Sequence, residues 1–404
     1  MRATVQVSAP APEMGFALWE RGFRPFFLGA GIYAAFAVGA WLAIWLHGAP
    51  APTWLTPAWW HGHEMTFGFV AAAIAGFLLT AVPVWAGRTA LAGPPLASLV
   101  ALWAAGRVAF LAAGVVPTWL VATIDGVFLP ALAIALARTL WGSGQYRNYG
   151  IVGVVSLLAL ANAAMHASAL GLIPSAAAGR ALRLGVDAVV VLMLVVGGRI
   201  TPAFTANALR RSGSTLLLRS APWLDLVVIG AALLLAAADL IAPRSVWSGG
   251  LAAIAGLAAG ARLSGWRGWA VRSDPLLWSL HAGMAWVVVG LLLVGAGDLG
   301  ALVPATAGLH ALTAGAMGTT ILAVMTRVGL GHTGRLLVLP RWAVASYLLA
   351  HAAALFRVAA AFASGADQTA LLWAAGLAWS SAFGLFAILY APILMRSRAD
   401  GLPG

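Results

Sequence analysis

This chain of 404 residues is a series of apolar stretches. Each stretch is about 20 residues long, which is enough to cross a bilayer as a helix. Twelve of them are found, at 26–47, 58–86, 95–116, 119–140, 149–172, 179–206, 221–242, 246–264, 275–297, 303–329, 340–363 and 368–394. Short loops with Gly, Pro or Arg separate them. The sequence therefore predicts an all-α polytopic membrane protein with twelve transmembrane helices and a single membrane domain over residues 25–395.

The scarcity of charge excludes most other classes of protein. Only 8% of the residues are Asp, Glu, Lys or Arg, whereas about a quarter of a soluble domain is charged. A soluble enzyme, a nucleic-acid-binding domain, a coiled coil and a disordered chain are thereby excluded. The net charge of +12 comes from arginines, with no lysine. They are dispersed along the chain rather than clustered, so they do not predict a nucleic-acid partner.

The distribution of arginine predicts an orientation in the membrane. Most arginines outside the apolar stretches lie on the same side as the N-terminus, and the opposite loops hold only Arg180, Arg183 and Arg244. Because positive residues are retained on the cytoplasmic side, both termini are predicted to be cytoplasmic. We expect residues 1–24 to form a cytoplasmic N-terminal segment without a cleavable signal peptide, and 396–404 a cytoplasmic tail.

A similar ending recurs at every fourth helix. The segments 80–88, 201–210 and 326–335 each begin with Thr and end with Arg. This period predicts three pseudo-symmetric four-helix repeats at 25–140, 149–264 and 275–394, unless the similarity arose by chance among apolar segments. The same plan is found in the large subunit of heme–copper oxidases, which takes its low-spin heme ligands from spans 2 and 10. The histidines of the oxidase copper site have no counterpart in spans 6 and 7.

Histidine is the main candidate metal ligand because the chain has no cysteine. His61 and His63 open the second span, and positions two apart on a helix diverge by about 200°. They are therefore expected to serve different sites, or one of them to act indirectly. Gly62 would let a flat macrocycle approach the backbone. Glu64 is predicted to orient a ligating imidazole or to handle protons, or else to be an interfacial acid.

The depth of His310 in span 10 is similar to that of the span 2 histidines, which suits a bis-histidine heme. We predict His63 and His310 as one axial pair, and His61 with His281 as candidates for a second iron. His332 follows span 10 in a glycine-flanked turn and is a further candidate metal ligand. The alternative for each is a structural hydrogen bond between helices.

Two other groups of polar residues lie within the spans. Arg327 is predicted to pair with a heme propionate, and the alternative is an ion pair with one of the intramembrane aspartates. His166 and His351 are interpreted as structural groups.

Long motifs in this chain resemble the NnrS family. The resemblance is carried by Leu18–Phe27, Trp60–Phe69, Thr80–Arg88, Leu280–Gly283 and His310–Arg335, and it extends over nearly the whole chain. It implies a bacterial inner-membrane protein of the nitric oxide response that contains heme and copper. The matched histidines at positions 61, 63, 281, 310 and 332 are then the candidates for the metal ligands.

The resemblance leads to a functional expectation. We expect one or two hemes b and reduction of nitric oxide to nitrous oxide, with electrons from quinol or a periplasmic donor. Protons would pass through Glu64 or a chain of waters. Copper is implied by the resemblance, although the residues indicate no all-histidine copper site. Two alternatives remain open, namely a heme protein that binds or senses nitric oxide without turnover, and a copper or heme transporter.

Overall fold

The computed structural model describes residues 15–51, 55–219 and 221–402. Among these residues, twelve helices are long and apolar enough to cross a membrane. The prediction of an all-α protein with twelve spans is confirmed, while residues 1–14 of the predicted N-terminal segment lie outside the described residues. The helices are α1 (Phe23–His47), α2 (Pro57–Ala86), α3 (Gly93–Leu111), α4 (Thr118–Leu140), α5 (Tyr146–Ala169), α6 (Ala176–Arg211), α7 (Pro222–Ile241), α8 (Val246–Gly265), α9 (Pro275–Asp298), α10 (Ala305–His332), α11 (Arg341–Ala359) and α12 (Gly365–Met395).

Several helix ends follow from local sequence chemistry. The Thr56 side chain accepts a hydrogen bond from the backbone nitrogen of Trp59, and Pro57 occupies the first turn of α2, where no backbone donor is needed. Asp274 caps α9 in the same way, with Pro275 following it. Gly87 ends α2 in the left-handed conformation, at φ 62°, which other residues rarely adopt. These caps fix the level at which α2 and α9 enter the bundle.

Three helices form the interior of the bundle. α2, α6 and α10 are the most buried of the twelve, with 83%, 72% and 67% of their most apolar windows inside the protein. Each is the second helix in a consecutive group of four. The first and last helices also pack together, because Trp379 and Ser380 of α12 donate hydrogen bonds to the carbonyl oxygens of Ala34 and Ala35 in α1. α12 therefore packs back against α1.

Two of the inner helices change their winding directly after a histidine. In α2 the segment Glu64–Val70 is π-helical, and in α10 the segment Ala311–Gly318 is π-helical. π-helical turns are rare and occur mainly near functional sites, where they change the direction in which side chains point. The carbonyl oxygen of Gly68, inside the first of these segments, accepts a hydrogen bond from the Trp103 indole. The altered winding therefore accompanies new contacts between helices.

Both described ends of the chain meet on one face. The segment before α1 forms a single antiparallel bridge with the segment after α12, through Phe16 and Arg396. The buried guanidinium of Arg24 donates to the carbonyl oxygens of Leu394 and Arg396, at 3.0 and 2.7 Å. Beyond the last helix, Arg398 donates two hydrogen bonds to Asp400, which lowers the pKa of that exposed carboxyl group. These contacts hold the tail against the start of α1.

Candidate heme cavity and buried polar cluster

A cavity lies between α1, α2, α10, α11 and α12. It contains about 660 Å³ of space free of protein atoms, including its open part. Ligand pockets commonly measure about 300–1,000 Å³. Apart from a few polar groups, the lining is apolar and aromatic. The lining residues are Val38, Trp41, His61, Met65, Thr66, Phe69, Val70, His310, Thr313, Ala314, Met317, Ala353, Arg357, Leu372, Ala375, Gly376 and Trp379.

His61 lies on the α2 side of this cavity. Its ring stacks on Trp41 of α1, with 4.4 Å between ring centroids and an angle of 29°. The Nδ1 atom of His61 is buried and has no hydrogen-bond partner. A buried polar atom without a partner carries a free-energy cost, so native proteins rarely leave one unless it has a ligand or a special role. His61 is therefore suited to bind a group that occupies the cavity.

His310 lies on the α10 side of the same cavity. Its Nδ1 atom is 2.8 Å from the carbonyl oxygen of Thr306, one turn earlier in α10. Because a carbonyl oxygen only accepts, Nδ1 must carry the proton and donate it, which leaves the Nε2 lone pair free in the neutral ring. This pattern is typical of metal-binding histidines, whose second nitrogen donates to a carbonyl or a carboxylate.

One positive charge also lines the cavity. Arg357 of α11 is half-buried there, and its Nε atom is buried without a hydrogen-bond partner. An arginine at membrane depth normally finds an acid or a row of carbonyl groups, because an isolated charge is costly in that environment. The cavity therefore combines two imidazoles and one incompletely paired guanidinium with apolar walls. This combination fits a flat, apolar macrocycle that carries a metal and a carboxylate.

The opposite side of α2 faces a different site, which we call the polar cluster. It consists of six side chains that are each no more than 6% exposed. They come from α2, α3, α4 and α5. The members are His63, Glu64, Arg107, Asp125, Asn162 and His166.

Hydrogen bonds join these side chains into one network. Arg107 donates to Glu64 at 2.5 Å and also to the carboxylate of Asp125. The Nδ1 atom of His63 lies 2.8 Å from Glu64, and its Nε2 atom lies 2.9 Å from the Asn162 oxygen. The side chain of Asn162 donates in turn to Asp125, at 2.9 Å.

The network continues to a fifth helix and to a second imidazole. The hydroxyl group of Tyr33 in α1 donates to Glu64. The Nε2 atom of His166 lies 2.7 Å from the same Asp125 oxygen, Oδ2, that accepts from Asn162. Gly68 makes this arrangement possible, because a Cβ atom at that position would lie only 2.8 Å from Arg107 and 2.9 Å from the ring of Tyr33. A side chain at position 68 would push both groups away from Glu64.

Three members of the polar cluster could hold a metal ion. One nitrogen of His63, one nitrogen of His166 and one oxygen of Asp125 all lie within 4.8 Å of one another. Among the described residues, this is the one group of three or more such side chains that meets this criterion. All three residues are buried. Two histidines and one carboxylate are a common ligand set for transition metals in proteins.

The predicted axial pair of His63 and His310 is not found in the structure. His310 lines the cavity, whereas His63 belongs to the polar cluster and both of its ring nitrogens have partners there. The imidazole that shares the cavity with His310 is His61. The space at Gly62 is also not open to a macrocycle, because a Cβ atom there would lie 2.5 Å from a methyl group of Leu182 in α6.

The remaining predicted residues lie outside both sites. His281 in α9 is 2.9 Å from the hydroxyl oxygen of Thr205. The ring of His332 contacts Phe23 near the start of α1, 5.7 Å between centroids. Arg327 stacks over Phe204 at 4.2 Å and is not among the residues that line the cavity. Neither a second heme ligand pair of His61 with His281 nor a propionate contact of Arg327 is supported by these positions.

The sequence does not predict the polar cluster as a site, and it does not place Arg357 in the cavity. Asn162 and His166 are four positions apart on α5, so their side chains share one face and reach Asp125 together. That spacing is a usable signal for this part of the polar cluster. No pattern in the sequence connects Arg357 with the cavity.

Comparison with known proteins agrees with the motifs. The family model described as NnrS protein matches residues 17–398, which is nearly the whole chain. No curated protein matches the chain. The matched range includes every helix of the cavity and of the polar cluster.

Proposed function

Because this chain belongs to the NnrS family, whose members act in the nitric oxide response at a membrane, we propose that it binds heme b in the cavity and reduces nitric oxide to nitrous oxide. The observation that carries this proposal is the presence of His61 and His310 in one cavity. Each has a ring nitrogen that no protein group occupies, Nδ1 in His61 and Nε2 in His310. Imidazole is a standard axial ligand of heme iron.

The two histidines are held differently, and this suggests different roles. The hydrogen bond from His310 to the Thr306 carbonyl oxygen fixes both its tautomer and its orientation, so we assign His310 as the permanent ligand. His61 is held by its stack on Trp41, and its Nδ1 atom has no hydrogen bond. A ring held only by stacking is positioned less firmly, so His61 would be the weaker of the two ligands. A bound heme would supply iron that can bind nitric oxide.

Arg357 is assigned to the carboxylate side of the heme. Its guanidinium group lines the cavity together with both histidines, and its buried Nε atom lacks a partner. A guanidinium group binds a carboxylate through paired hydrogen bonds, so a propionate would neutralise a charge that is otherwise costly in this position. This assignment replaces the predicted contact with Arg327.

The reaction also needs electrons and protons. Two molecules of nitric oxide, two electrons and two protons give one molecule of nitrous oxide and one of water. We assign the electrons to quinol or to a periplasmic donor. Glu64 does not line the cavity, and its carboxylate is held by Arg107, Tyr33 and His63. A proton-handling role for Glu64 therefore requires transfer through one of these neighbours.

The arginine distribution supports an orientation with both termini in the cytoplasm of a bacterial inner membrane. The described ends of the chain meet on one face of the bundle, which agrees with an even number of spans. Reporter fusions test this assignment. A cytoplasmic fluorescent reporter is expected to be active at the C-terminus, and a reporter that folds only in the periplasm is expected to be inactive there.

A direct experiment tests the reductase proposal. The purified protein is expected to show the reduced-minus-oxidised absorption bands of a heme b. Addition of nitric oxide and a reductant should then yield nitrous oxide, measured by gas chromatography. Boiled protein, which leaves the heme in the sample but no longer held by the fold, is the control. A preparation without heme would contradict the proposal as a whole.

One structural feature favours a second candidate, a heme protein that binds nitric oxide without turnover. Besides His61 and His310, the residues that line the cavity include no third imidazole and no carboxylate to hold a second metal beside the heme. The reduction joins two molecules of nitric oxide, and a second metal would help to hold the second one. In the same assay, a nitrosyl spectrum with no nitrous oxide would select this candidate.

A further inference from the structure

We propose that the polar cluster is a second metal site, in which His63 Nε2, His166 Nε2 and Asp125 Oδ2 bind a divalent first-row transition-metal ion. The site lies on the opposite side of α2 from the heme cavity and shares none of the residues that line it. The proposal does not depend on heme binding.

The ligand atoms already converge without a metal. The Asp125 Oδ2 atom lies 3.3 Å from His63 Nε2 and 2.7 Å from His166 Nε2. The three residues belong to α2, α4 and α5, so the packing of three helices brings them together rather than a local turn. An ion among these atoms would need only small shifts, because metal–nitrogen and metal–oxygen bonds are about 2.0–2.2 Å long.

The hydrogen-bond chemistry of His63 indicates that a cation belongs in the cluster. Its Nδ1 atom faces a Glu64 oxygen, and its Nε2 atom faces the oxygens of Asn162 and Asp125. All of these are acceptors, while a neutral imidazole has a single N–H group. If Nδ1 donates to Glu64, the Nε2 lone pair points at other lone pairs. A cation between His63, Asn162 and Asp125 removes that repulsion.

The charges lead to the same conclusion. Glu64 and Asp125 are two acids, and among the described residues Arg107 is the arginine that forms an ion pair with both. With neutral imidazoles the polar cluster therefore carries one net negative charge in a buried position. Buried charges need compensation because the low-dielectric interior does not screen them. An extra proton on His63 would bring the net charge to zero and a divalent ion would bring it to +1, so the charges call for a cation without choosing between the two.

The surroundings of His63 favour the metal. A histidine that binds a metal typically donates its other N–H group to a carboxylate, which is itself held by further groups. Glu64 occupies that position at 2.8 Å, and it is held in turn by Arg107 and Tyr33. Imidazole ligands suit Cu²⁺ and Zn²⁺, and Cu²⁺ binds a given site more tightly than the other divalent ions of the first row.

Metal analysis of the intact protein tests the proposal. The purified protein is incubated with Cu²⁺ or with Zn²⁺, passed through a desalting column and analysed for metals. We expect about one ion per chain in addition to the heme iron. With Cu²⁺, electron paramagnetic resonance should show coupling to nitrogen nuclei of two imidazoles, a signal that a merely structural hydrogen-bond network cannot produce.

Variants assign the metal to this cluster. Asp125→Asn and His166→Gln are expected to lower the retained metal at least about tenfold, since even the partners of a ligand contribute about 10–100-fold in affinity. Asp239→Asn is a matched control, because Asp239 and Asp125 are both 3% exposed and ion-paired. His351→Gln is the control for His166. Both controls are expected to keep the metal.

Several outcomes would overturn the proposal. A wild-type protein that retains no metal besides iron would mean that a proton occupies the polar cluster. Retention of metal in both Asp125→Asn and His166→Gln would place the ion elsewhere. The copper spectrum of the wild type needs no variant, so a variant that fails to fold does not prevent a decision. A protein with the second metal but without heme would contradict the proposed function and leave this inference intact.

Discussion

The two sides of α2 differ in how completely their polar groups are satisfied. On one side, His61 has a buried nitrogen without a partner and lines a cavity with the half-buried Arg357. On the other side, both ring nitrogens of His63 have partners, and both terminal nitrogens of Arg107 are paired, so that only its Nε atom lacks a partner in the polar cluster. The first arrangement leaves interactions free for a large group from outside. The second is already organised around one small position.

The difference shows that the hydrogen-bond partners of a histidine can indicate which of two kinds of site it belongs to. His61 and His63 are two positions apart, and both are in the last turn before the π-helical segment of α2. A heme site has to remain incomplete in the protein alone, because the heme brings its own iron and carboxylates. A small-ion site is instead assembled by the protein. The following predictions test this contrast, beginning with the largest expected effect.

The largest effect is expected for loss of either cavity imidazole. His310→Ala and His61→Ala should each lower the heme content of the purified protein. For His310 the fall should exceed the about 10–100-fold that loss of an outer partner costs. His166→Gln, on the other side of α2, should keep its heme. Heme per protein is measured from the absorbance of the pyridine complex. Equal heme loss in all three variants would show that the two sides of α2 form one site.

The next effect concerns the two buried arginines. Arg107→Gln leaves Glu64 and Asp125 without their shared base, and breaking such a buried pair costs about 3–5 kcal/mol of stability. Arg357→Gln removes a charge whose Nε atom has no partner, so heme-free protein should lose little stability. Unfolding in detergent is followed by circular dichroism. A larger loss of stability in Arg357→Gln than in Arg107→Gln would contradict the proposed difference between the two sides of α2.

Arg357 should matter for heme affinity instead. We expect Arg357→Gln to weaken heme binding about tenfold or more, because a hydrogen bond to a charged group contributes about 1.5–3 kcal/mol. Arg327→Gln is the control, since Arg327 stacks on Phe204 outside the cavity. Transfer of heme to excess apomyoglobin gives the dissociation rate. If Arg327→Gln released heme faster than Arg357→Gln, the original sequence-based assignment would be restored.

The smallest effect on heme binding is expected for loss of Trp41, whose ring stacks on His61. Trp41→Leu removes a stack of the kind that contributes about 0.5–1.5 kcal/mol, so heme dissociation should become only a few-fold faster. Trp247→Leu is the control, because Trp247 is 75% exposed and does not line the cavity. No change in Trp41→Leu would mean that another contact holds the ring of His61.

The twelve helices could be predicted because lipid imposes a simple rule on sequence. A spanning helix needs about 20 apolar residues, and only helices or closed barrels satisfy their backbone groups in a bilayer. The predicted spans at 58–86 and 275–297 also begin within one residue of α2 and α9. The opposite directions of His61 and His63 followed from helical geometry alone. These properties depend on local sequence, which is why they needed no knowledge of packing.

The direction in which each histidine points relative to other helices could not be predicted. The inner helices carry apolar residues on every side along most of their length, so periodicity does not show which face of α2 meets α10. The π-helical segments add a local change in winding that no residue pattern in the sequence predicts. His63 was therefore paired with His310, whereas the structure brings His61 to the cavity. The polar cluster was missed for the same reason, since it depends on contacts between α2, α3, α4 and α5.

The packing of α12 against α1 has a consequence for biosynthesis. Trp41 lies in α1 and Trp379 in α12, more than 300 residues later, yet both line the same cavity. The wall around His61 and His310 is therefore complete only after α12 has been translated and inserted. Heme insertion is then a late step, and a chain truncated before α12 would expose both imidazoles to lipid.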